Sequence, residues 1–151
     1  MPLLRIDVIE GRSEAELNEL LDAIHCATLA AFKVPERDRY QIVHEHSAAD
    51  MRIEDTGLDI PRTDRIVIVH VTTRPRTRLE KQSFYELLCQ ELVERCGMKA
   101  SDIVVSITQN ADEDWSFGHG RAQFITGELS RQKPSITSQA LLAQSSSQRA
   151  R

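Results

Sequence analysis

The first residues that could do chemistry stand at the amino terminus, where Met1 and Pro2 lead straight into an apolar stretch that ends at Ile9. Proline is small enough to allow removal of the initiator methionine, which would give Pro2 a free secondary amine. An α-amino group titrates near neutrality, with a pKa of about 7.7–8.0. Among cations or apolar walls such an amine could act as base, acid or nucleophile. Many chains begin Met-Pro without catalytic meaning, and a retained Met1 would leave the Pro2 nitrogen an uncharged amide.

A second candidate is a pair of arginines, Arg74 and Arg76, which flank Pro75 just after a nearly continuous apolar strand. Active sites in β-α-β units collect at the carboxyl ends of strands. Two guanidinium groups beside a helix N-terminus suit a carboxylate or a phosphate. The alternative is a solvated charged edge that also includes Arg78, because arginine is mostly exposed in proteins.

Three other patterns are weaker on their own. Asp38 precedes a strand and by itself is typical of a turn. His44 and His46 alternate on that strand, so both side chains face one way, but zinc would need further ligands that the sequence does not supply. Trp115 and Phe117 alternate in the same manner beside glycines. They predict either a small satellite core or an apolar pocket wall.

The elements that position these residues form a repeat. Ser13 with Glu16 makes an S-x-x-E capping box that opens a helix of about five turns. The pattern predicts strands over Leu3–Ile9, Tyr40–His46, Arg65–Thr72 and Ile103–Thr108, and a second helix over Thr77–Cys96, ended by Gly97 as a C-cap. Sliding the chain by 64 residues aligns its halves without a gap. We therefore predict an α/β (α+β) fold, in which two β-α-β units form one four-stranded mixed sheet with two helices on one face.

Such a sheet leaves its second face bare, and a symmetric oligomer is the usual way to cover it. We expect one domain over residues 1–129. After Leu129 the chain is rich in Ser, Gln and Arg, and we expect a disordered polar tail over residues 130–151.

Composition excludes several classes of protein. A net charge of −4 gives no general attraction to nucleic acid, and no apolar run approaches the roughly 20 residues of a membrane span. Nothing resembles a signal peptide. The odd cysteine count, without regular spacing, favours reduced thiols in a cytoplasmic protein.

Taken together, these residues resemble the tautomerase superfamily. Within it, several ordered motifs closely resemble malonate semialdehyde decarboxylases: V-P-E-R-D-R-Y-Q-I-V (Val34 to Val43), E-D-T-G-L, I-P-R-T-D, T-T-R-P-R, D-E-D-W-S-F-G and G-R-A-Q-F. The resemblance covers Pro2 to Leu129. It implies a homotrimer that acts on a small 3-oxo acid without a metal or an organic cofactor.

Carried over position by position, the resemblance assigns catalytic roles to Pro2, Asp38, Arg74 and Arg76. It places Trp115, Phe117, Phe124 and Leu129 in the substrate pocket. The implied reaction is decarboxylation of malonate semialdehyde (3-oxopropanoate) to acetaldehyde and CO2. The alternatives are other activities of the same superfamily, namely tautomerisation and dehalogenation or hydration of a 3-haloacrylate. A non-catalytic trimeric binding module is a further alternative. The cis-specific dehalogenases resemble this chain less, because a histidine expected near Thr28 is absent.

Overall fold

The computed structural model describes residues 1–129, so the predicted polar tail lies outside the described residues. Within these residues the chain forms four main strands and two long helices, which confirms the predicted fold class. Their bounds are β1 Pro2–Ile9, α1 Glu14–Phe32, β2 Tyr40–His46, β3 Val67–Thr73, α2 Arg78–Cys96 and β4 Ile103–Gln109. Single 3₁₀ turns cover Ala100–Asp102 and Asp112–Asp114.

The sheet has the order β2-β1-β3-β4. β1 pairs in parallel with β2, and β3 pairs in parallel with β4. The two central strands, β1 and β3, run antiparallel, with Pro2 opposite Thr73 and Val8 opposite Val67. Each parallel pair is one β-α-β unit. The sheet is mixed because the two units meet in opposite directions.

The core lies between one face of this sheet and both helices. Alternate residues of β1 and β3 point inward because successive side chains of a strand face opposite ways. They meet the apolar stripes of α1 and α2, and the fully buried members include Ile6, Val69, Ile24, Phe84 and Leu88. Burial of each large side chain contributes about 1.5–3 kcal/mol. This layer fixes the ends of the strands, where the candidate residues stand.

The repeat is visible in how the helices begin and end. Ser13 caps α1 and Thr77 caps α2, each in a complete capping box with a glutamate three residues on. At the other end, Lys33 and Gly97 both adopt the left-handed conformation, with φ of 50° and 63°. Only glycine adopts that conformation without a steric cost.

This asymmetry between the two caps gives a stability prediction. Gly97→Ala should lower the free energy of unfolding by about 1 kcal/mol, whereas Lys33→Gly should raise it by a similar or smaller amount. A methyl group on Gly97 would meet no atom within 4 Å, so the loss is purely conformational. Chemical denaturation of the two variants measures both effects. Destabilisation by both substitutions would contradict this account of the caps.

The second face of the sheet, which we call the open sheet face, has no helix over it within residues 1–110. Tyr40 and Ile42 are 42% and 40% exposed there. Asp7 lies at its centre, with His46 Nε2 2.5 Å and His70 Nε2 3.2 Å from the carboxylate oxygens. His44 Nδ1 lies 3.6 Å away. The open sheet face therefore combines exposed apolar side chains with a cluster of one aspartate and three histidines.

The chain divides into two compact units, Met1–Asn110 and a second that begins at Ala111. In the second, the Trp115 and Phe117 rings stack with centroids 5.4 Å apart, and Phe124 meets Phe117 edge-on at 5.4 Å. Gln123 is buried and holds this turn by bonds to the Phe117 N–H and the Gly118 carbonyl, both 2.9 Å. The domain boundary at residue 129 stays a prediction. No helix within residues 1–129 is long and apolar enough to cross a membrane.

Candidate active site

The terminal amine lies beside a buried carboxylate. The Met1 nitrogen is 3.5 Å from Oδ2 of Asp38, and Asp38 is only 6% exposed. Parallel pairing sets Leu3 opposite Tyr40, so the starts of β1 and β2 stand side by side. Within residues 1–129, neither carboxylate oxygen of Asp38 has a hydrogen-bond partner. A buried carboxylate is costly unless a cation lies beside it, and the terminal amine is the cation that pairs with Asp38 here.

Burial is the largest influence on both groups, and it favours the neutral form of each. Burial lowers the pKa of the Met1 amine, Arg76 and Arg74 lower it further, and the negative charge of Asp38 opposes them. Burial likewise raises the pKa of Asp38, against the opposing effect of the amine and Arg76. The pKa of the amine is therefore shifted in the direction that general acid–base or nucleophilic chemistry near neutral pH requires.

Arg76 is held in one orientation by the surrounding fold. Its Nε donates to Oγ1 of Thr73 at 3.1 Å, and its Nη1 donates to the Phe32 carbonyl at 3.1 Å. The guanidinium carbon lies 4.8 Å from the centre of the Phe32 ring, a cation–π distance. The backbone N–H of Arg76 donates to Oε1 of Gln109 at 2.8 Å. The guanidinium is therefore positioned before any ligand arrives.

Arg74 reaches the same edge through the antiparallel pair. Because Pro2 pairs with Thr73, the start of β1 lies beside the end of β3. The charge of Arg74 acts both on the terminal amine and on Arg76, where it lowers the pKa. The structure thus brings Pro2, Asp38, Arg74 and Arg76 to one edge of the sheet. Their catalytic roles stay predictions, and Trp115, Phe117, Phe124 and Leu129 belong to the second unit.

Sequence reasoning missed the residues that hold the site. Thr73 is fully buried, and its hydroxyl positions Arg76. Phe32 contributes a carbonyl and a ring from the end of α1, and Gln109 contributes an amide oxygen from the end of β4. The position of Thr73 immediately before Arg74 is at most a weak sequence signal that this residue supports the site. Nothing in the sequence indicates that Phe32, 44 positions from Arg76, would contact it.

The helix α1 contributes no histidine at the position that the dehalogenase alternative needs. Thr28 is buried, and its hydroxyl bonds to the Ile24 carbonyl at 2.8 Å. His25 instead places Nε2 3.0 Å from the Glu36 carbonyl, and its charge is among those that act on Asp38. No group of three or more histidine, cysteine or acidic side chains in residues 1–129 could hold a metal ion.

Comparisons with known proteins agree with this geometry. A family model described as "Tautomerase enzyme" matches residues 38–118, and another of the same description matches residues 2–60. The probable tautomerase YrdN of Bacillus subtilis (strain 168) is 52% identical, over 85% of this chain and 100% of that protein. The probable tautomerase YusQ of the same organism is 32% identical, over 83% and 99%. The chain belongs to the tautomerase family.

Solved structures carry the comparison further. A malonate semialdehyde decarboxylase, studied for decarboxylase and hydratase activities, is 45% identical with a TM-score of 0.82, over 83% of this chain and 98% of that one. The FG41 malonate semialdehyde decarboxylase, inhibited by 3-bromopropiolate, is 39% identical with a TM-score of 0.81, over 87% and 99%. A fused 4-OT, a symmetric trimer, is 22% identical with a TM-score of 0.69, over 83% and 98%. This last likeness concerns the fold alone.

Proposed function

We propose that the protein is a cofactor-independent decarboxylase that converts malonate semialdehyde to acetaldehyde and CO2. One observation carries the proposal: a partly buried terminal amine lies 3.5 Å from the buried Asp38 carboxylate, with two arginines at the same sheet edge. The similarity to two malonate semialdehyde decarboxylases supports the choice of substrate. With Met1 removed, the amine in this site would be that of Pro2.

The arginines would bind the substrate carboxylate. Loss of CO2 requires the breaking bond to align with the carbonyl π-system, and two guanidinium groups can fix that angle. Arg76 is already immobilised by Thr73 and Phe32, so little ordering remains to be done on binding. Once CO2 leaves, its electron pair enters the carbonyl as an enolate, which needs a cation or a donor at the oxygen.

Pro2 would meet that need by one of two routes. As a protonated amine it donates a hydrogen bond to the aldehyde oxygen. As a neutral amine it adds to the aldehyde and loses water, forming an iminium ion that accepts the electron pair. Protonation of the resulting carbon, and hydrolysis of the iminium where it forms, gives acetaldehyde. Asp38 would orient the amine, accept its proton or place a water.

The alternatives within the superfamily use the same groups. A tautomerase would move a proton through Pro2, and a 3-haloacrylate dehalogenase or hydratase would add an activated water. Glu113 could activate that water, and it is exposed on the turn Asp112–Asp114. Relative kcat/KM for malonate semialdehyde, an enol pyruvate and a 3-haloacrylate separates these functions. We expect the 3-oxo acid to be preferred, and a preference for either other class would overturn the proposal.

The pH dependence of kcat/KM tests the role of Asp38. The charges that act on the Met1 amine would act on the Pro2 amine after processing, and Asp38 raises the pKa of that amine. Asp38→Asn should therefore move the limb of the pH profile that reports the amine toward lower pH. Asp22→Asn is a control, since Asp22 is half-exposed and pairs with Arg39 on the surface. A limb that moves to higher pH in Asp38→Asn would exclude this role.

We also propose that the protein is a homotrimer in the cytoplasm. The open sheet face supports self-association, and a fused 4-OT of the same fold is a trimer. The free state of Cys26, Cys89 and Cys96 suits a reducing compartment. The proposed partners are the 3-oxo acid and two further copies of the chain.

A charge on the open sheet face should dissociate the trimer. Ile42→Glu places a carboxylate on that face, and removing it from water in an interface would be unfavourable. Sedimentation velocity should then show a monomer where the unaltered protein is a trimer. Leu79→Glu is the control, because Leu79 is 76% exposed on α2, on the helical side of the sheet. A trimer that survives Ile42→Glu would place the subunit contact elsewhere.

A further inference from the structure

The 64-residue repeat gives the proposed active site a counterpart at the other end of the sheet. Arg12 stands at the position that corresponds to Arg76, just after β1 as Arg76 follows β3. Asp102 corresponds to Asp38 and is likewise buried, at 0% exposure. Arg65 corresponds to Met1. Here the chain continues through Arg65, so this counterpart has no terminal amine.

The carboxylate of Asp102, the acidic residue of this second site, already has hydrogen-bond donors within the chain. Asp102 accepts hydrogen bonds from the Thr63 N–H at 2.7 Å and from the Thr63 hydroxyl at 2.5 Å. Its negative charge still acts on Arg12, but its oxygens already have donors. The Asp102 carboxylate therefore binds the loop before β3 and does not accept a hydrogen bond from Arg12.

Arg12 itself is left with unused donors. It is 8% exposed, and its Nη2 donates to the Arg65 carbonyl at 2.5 Å. Its Nη1 is buried and has no hydrogen-bond partner within residues 1–129. Burial and the nearby Arg65 charge lower the pKa of Arg12. A buried guanidinium nitrogen without an acceptor carries a large desolvation cost, which a bound anion would remove.

Arg12 lines a cavity of about 130 Å³. One water occupies about 30 Å³ in the liquid, so the cavity has room for a carboxylate of about three carbon atoms. Leu20, Cys96 and Met98 supply apolar wall, suited to a short carbon chain. Burial raises the pKa of the Cys96 thiol, so this wall is uncharged at neutral pH.

The charged side chains that line the cavity carry one more positive charge than negative charges. Glu16 pairs with Arg65 at 2.8 Å, and Glu19 pairs with Arg95 at 2.6 Å. Arg12 is the remaining charged group of the lining. One anionic group would neutralise it, whereas a dianion would meet the two glutamates. This favours a monocarboxylate over a phosphate.

We propose that this cavity is a second, non-catalytic site that binds a short monocarboxylate on Arg12. It retains the arginine of the repeated strand-to-helix turn and lacks the amine, so it can bind a carboxylate without transforming it. The proposal does not depend on which reaction the amine-containing site performs.

Calorimetric titration of the assembled protein with sodium propionate, against sodium chloride at equal ionic strength, tests the site. We expect two propionate sites per chain in the unaltered protein, one at Arg12 and one at Arg76. Arg12→Gln should lose the first, with its Kd raised at least about tenfold, and should keep the second together with kcat/KM. Arg76→Ala should keep the propionate site at Arg12 but lose the site at position 76 together with most of kcat/KM. Unchanged propionate binding in Arg12→Gln would overturn the proposal.

Two further measurements cover the case in which Arg12→Gln fails to fold. Cys96→Leu keeps Arg12 but narrows the cavity, and it should also lose the propionate site. A crystal of the unaltered protein, soaked in propionate well above the measured Kd, should show the carboxylate in the cavity against the guanidinium of Arg12. Ordered water alone in the cavity would overturn the proposal.

Discussion

Replacing Pro2 with alanine should lower kcat/KM for malonate semialdehyde by about 100-fold or more while leaving the fold intact. Alanine keeps a free primary amine after methionine removal, so the variant changes the basicity and the geometry of the nitrogen alone. The proline ring also ties the nitrogen to its own side chain, which restricts the direction of the nitrogen lone pair. The measurement is steady-state kinetics, with intact mass confirming that Met1 is absent from both proteins.

A companion variant keeps the proline ring but moves the free amine from Pro2 to another residue. One residue inserted between Met1 and Pro2 turns the Pro2 nitrogen into an amide, which can neither accept a proton nor add to an aldehyde. We expect it to be as inactive as Pro2→Ala or more so. Borohydride added with substrate should trap a covalent adduct on Pro2 if the iminium route operates. Full activity in a protein shown by mass to retain Met1 on every molecule would refute any role for the Pro2 amine.

Arg74→Ala and Arg76→Ala should each lower kcat/KM at least about tenfold, which corresponds to about 1.4 kcal/mol of lost transition-state stabilisation. Arg76→Lys should not restore activity. A lysine cannot both reach Thr73 and Phe32 and present two parallel donors to a carboxylate. Kinetics of the three variants measure the effect, and circular dichroism checks that each is folded.

Arg78→Ala is the matched control for the arginine pair. Arg78 is exposed at the first position of α2, two residues beyond Arg76, and carries the same charge. We expect its kcat/KM to stay within about twofold of the unaltered protein. Equal losses in all three alanine variants would favour a diffuse electrostatic field over two positioned guanidinium groups.

The fold could be predicted from sequence because its signals are local. The Ser13 capping box, the apolar periodicity of both helices and the bounds of β2 follow from neighbouring residues. The start of β3 was predicted two residues early, at Arg65. The Arg65 side chain instead forms an ion pair with Glu16, 49 residues away in the sequence. Ile66 lies before the first residue of β3 that pairs with a neighbouring strand. Such a long-range ion pair leaves no trace in a local apolar pattern.

The site was predicted less completely because its supports come from distant elements. The repeat and the motifs indicated Pro2, Asp38 and the arginines, but the anchors of Arg76 depend on how α1 ends beside β3. His70 was not expected near the other histidines, yet it lies 3.2 Å from Asp7. β1 runs between β2 and β3, so one aspartate contacts side chains from both neighbours. Strand order, which local sequence does not encode, decides such contacts.

Following uniformly ¹³C-labelled malonate semialdehyde by NMR, with chelator-treated protein whose loss of Met1 has been verified by mass, tests the central claim most directly. The account predicts that labelled acetaldehyde and labelled CO2 or bicarbonate appear in equal amounts as the substrate disappears. Pro2→Ala, handled identically, should show neither product above the uncatalysed rate. An unaltered protein that leaves malonate semialdehyde intact, yet rapidly turns over enol pyruvates or 3-haloacrylates, would contradict it.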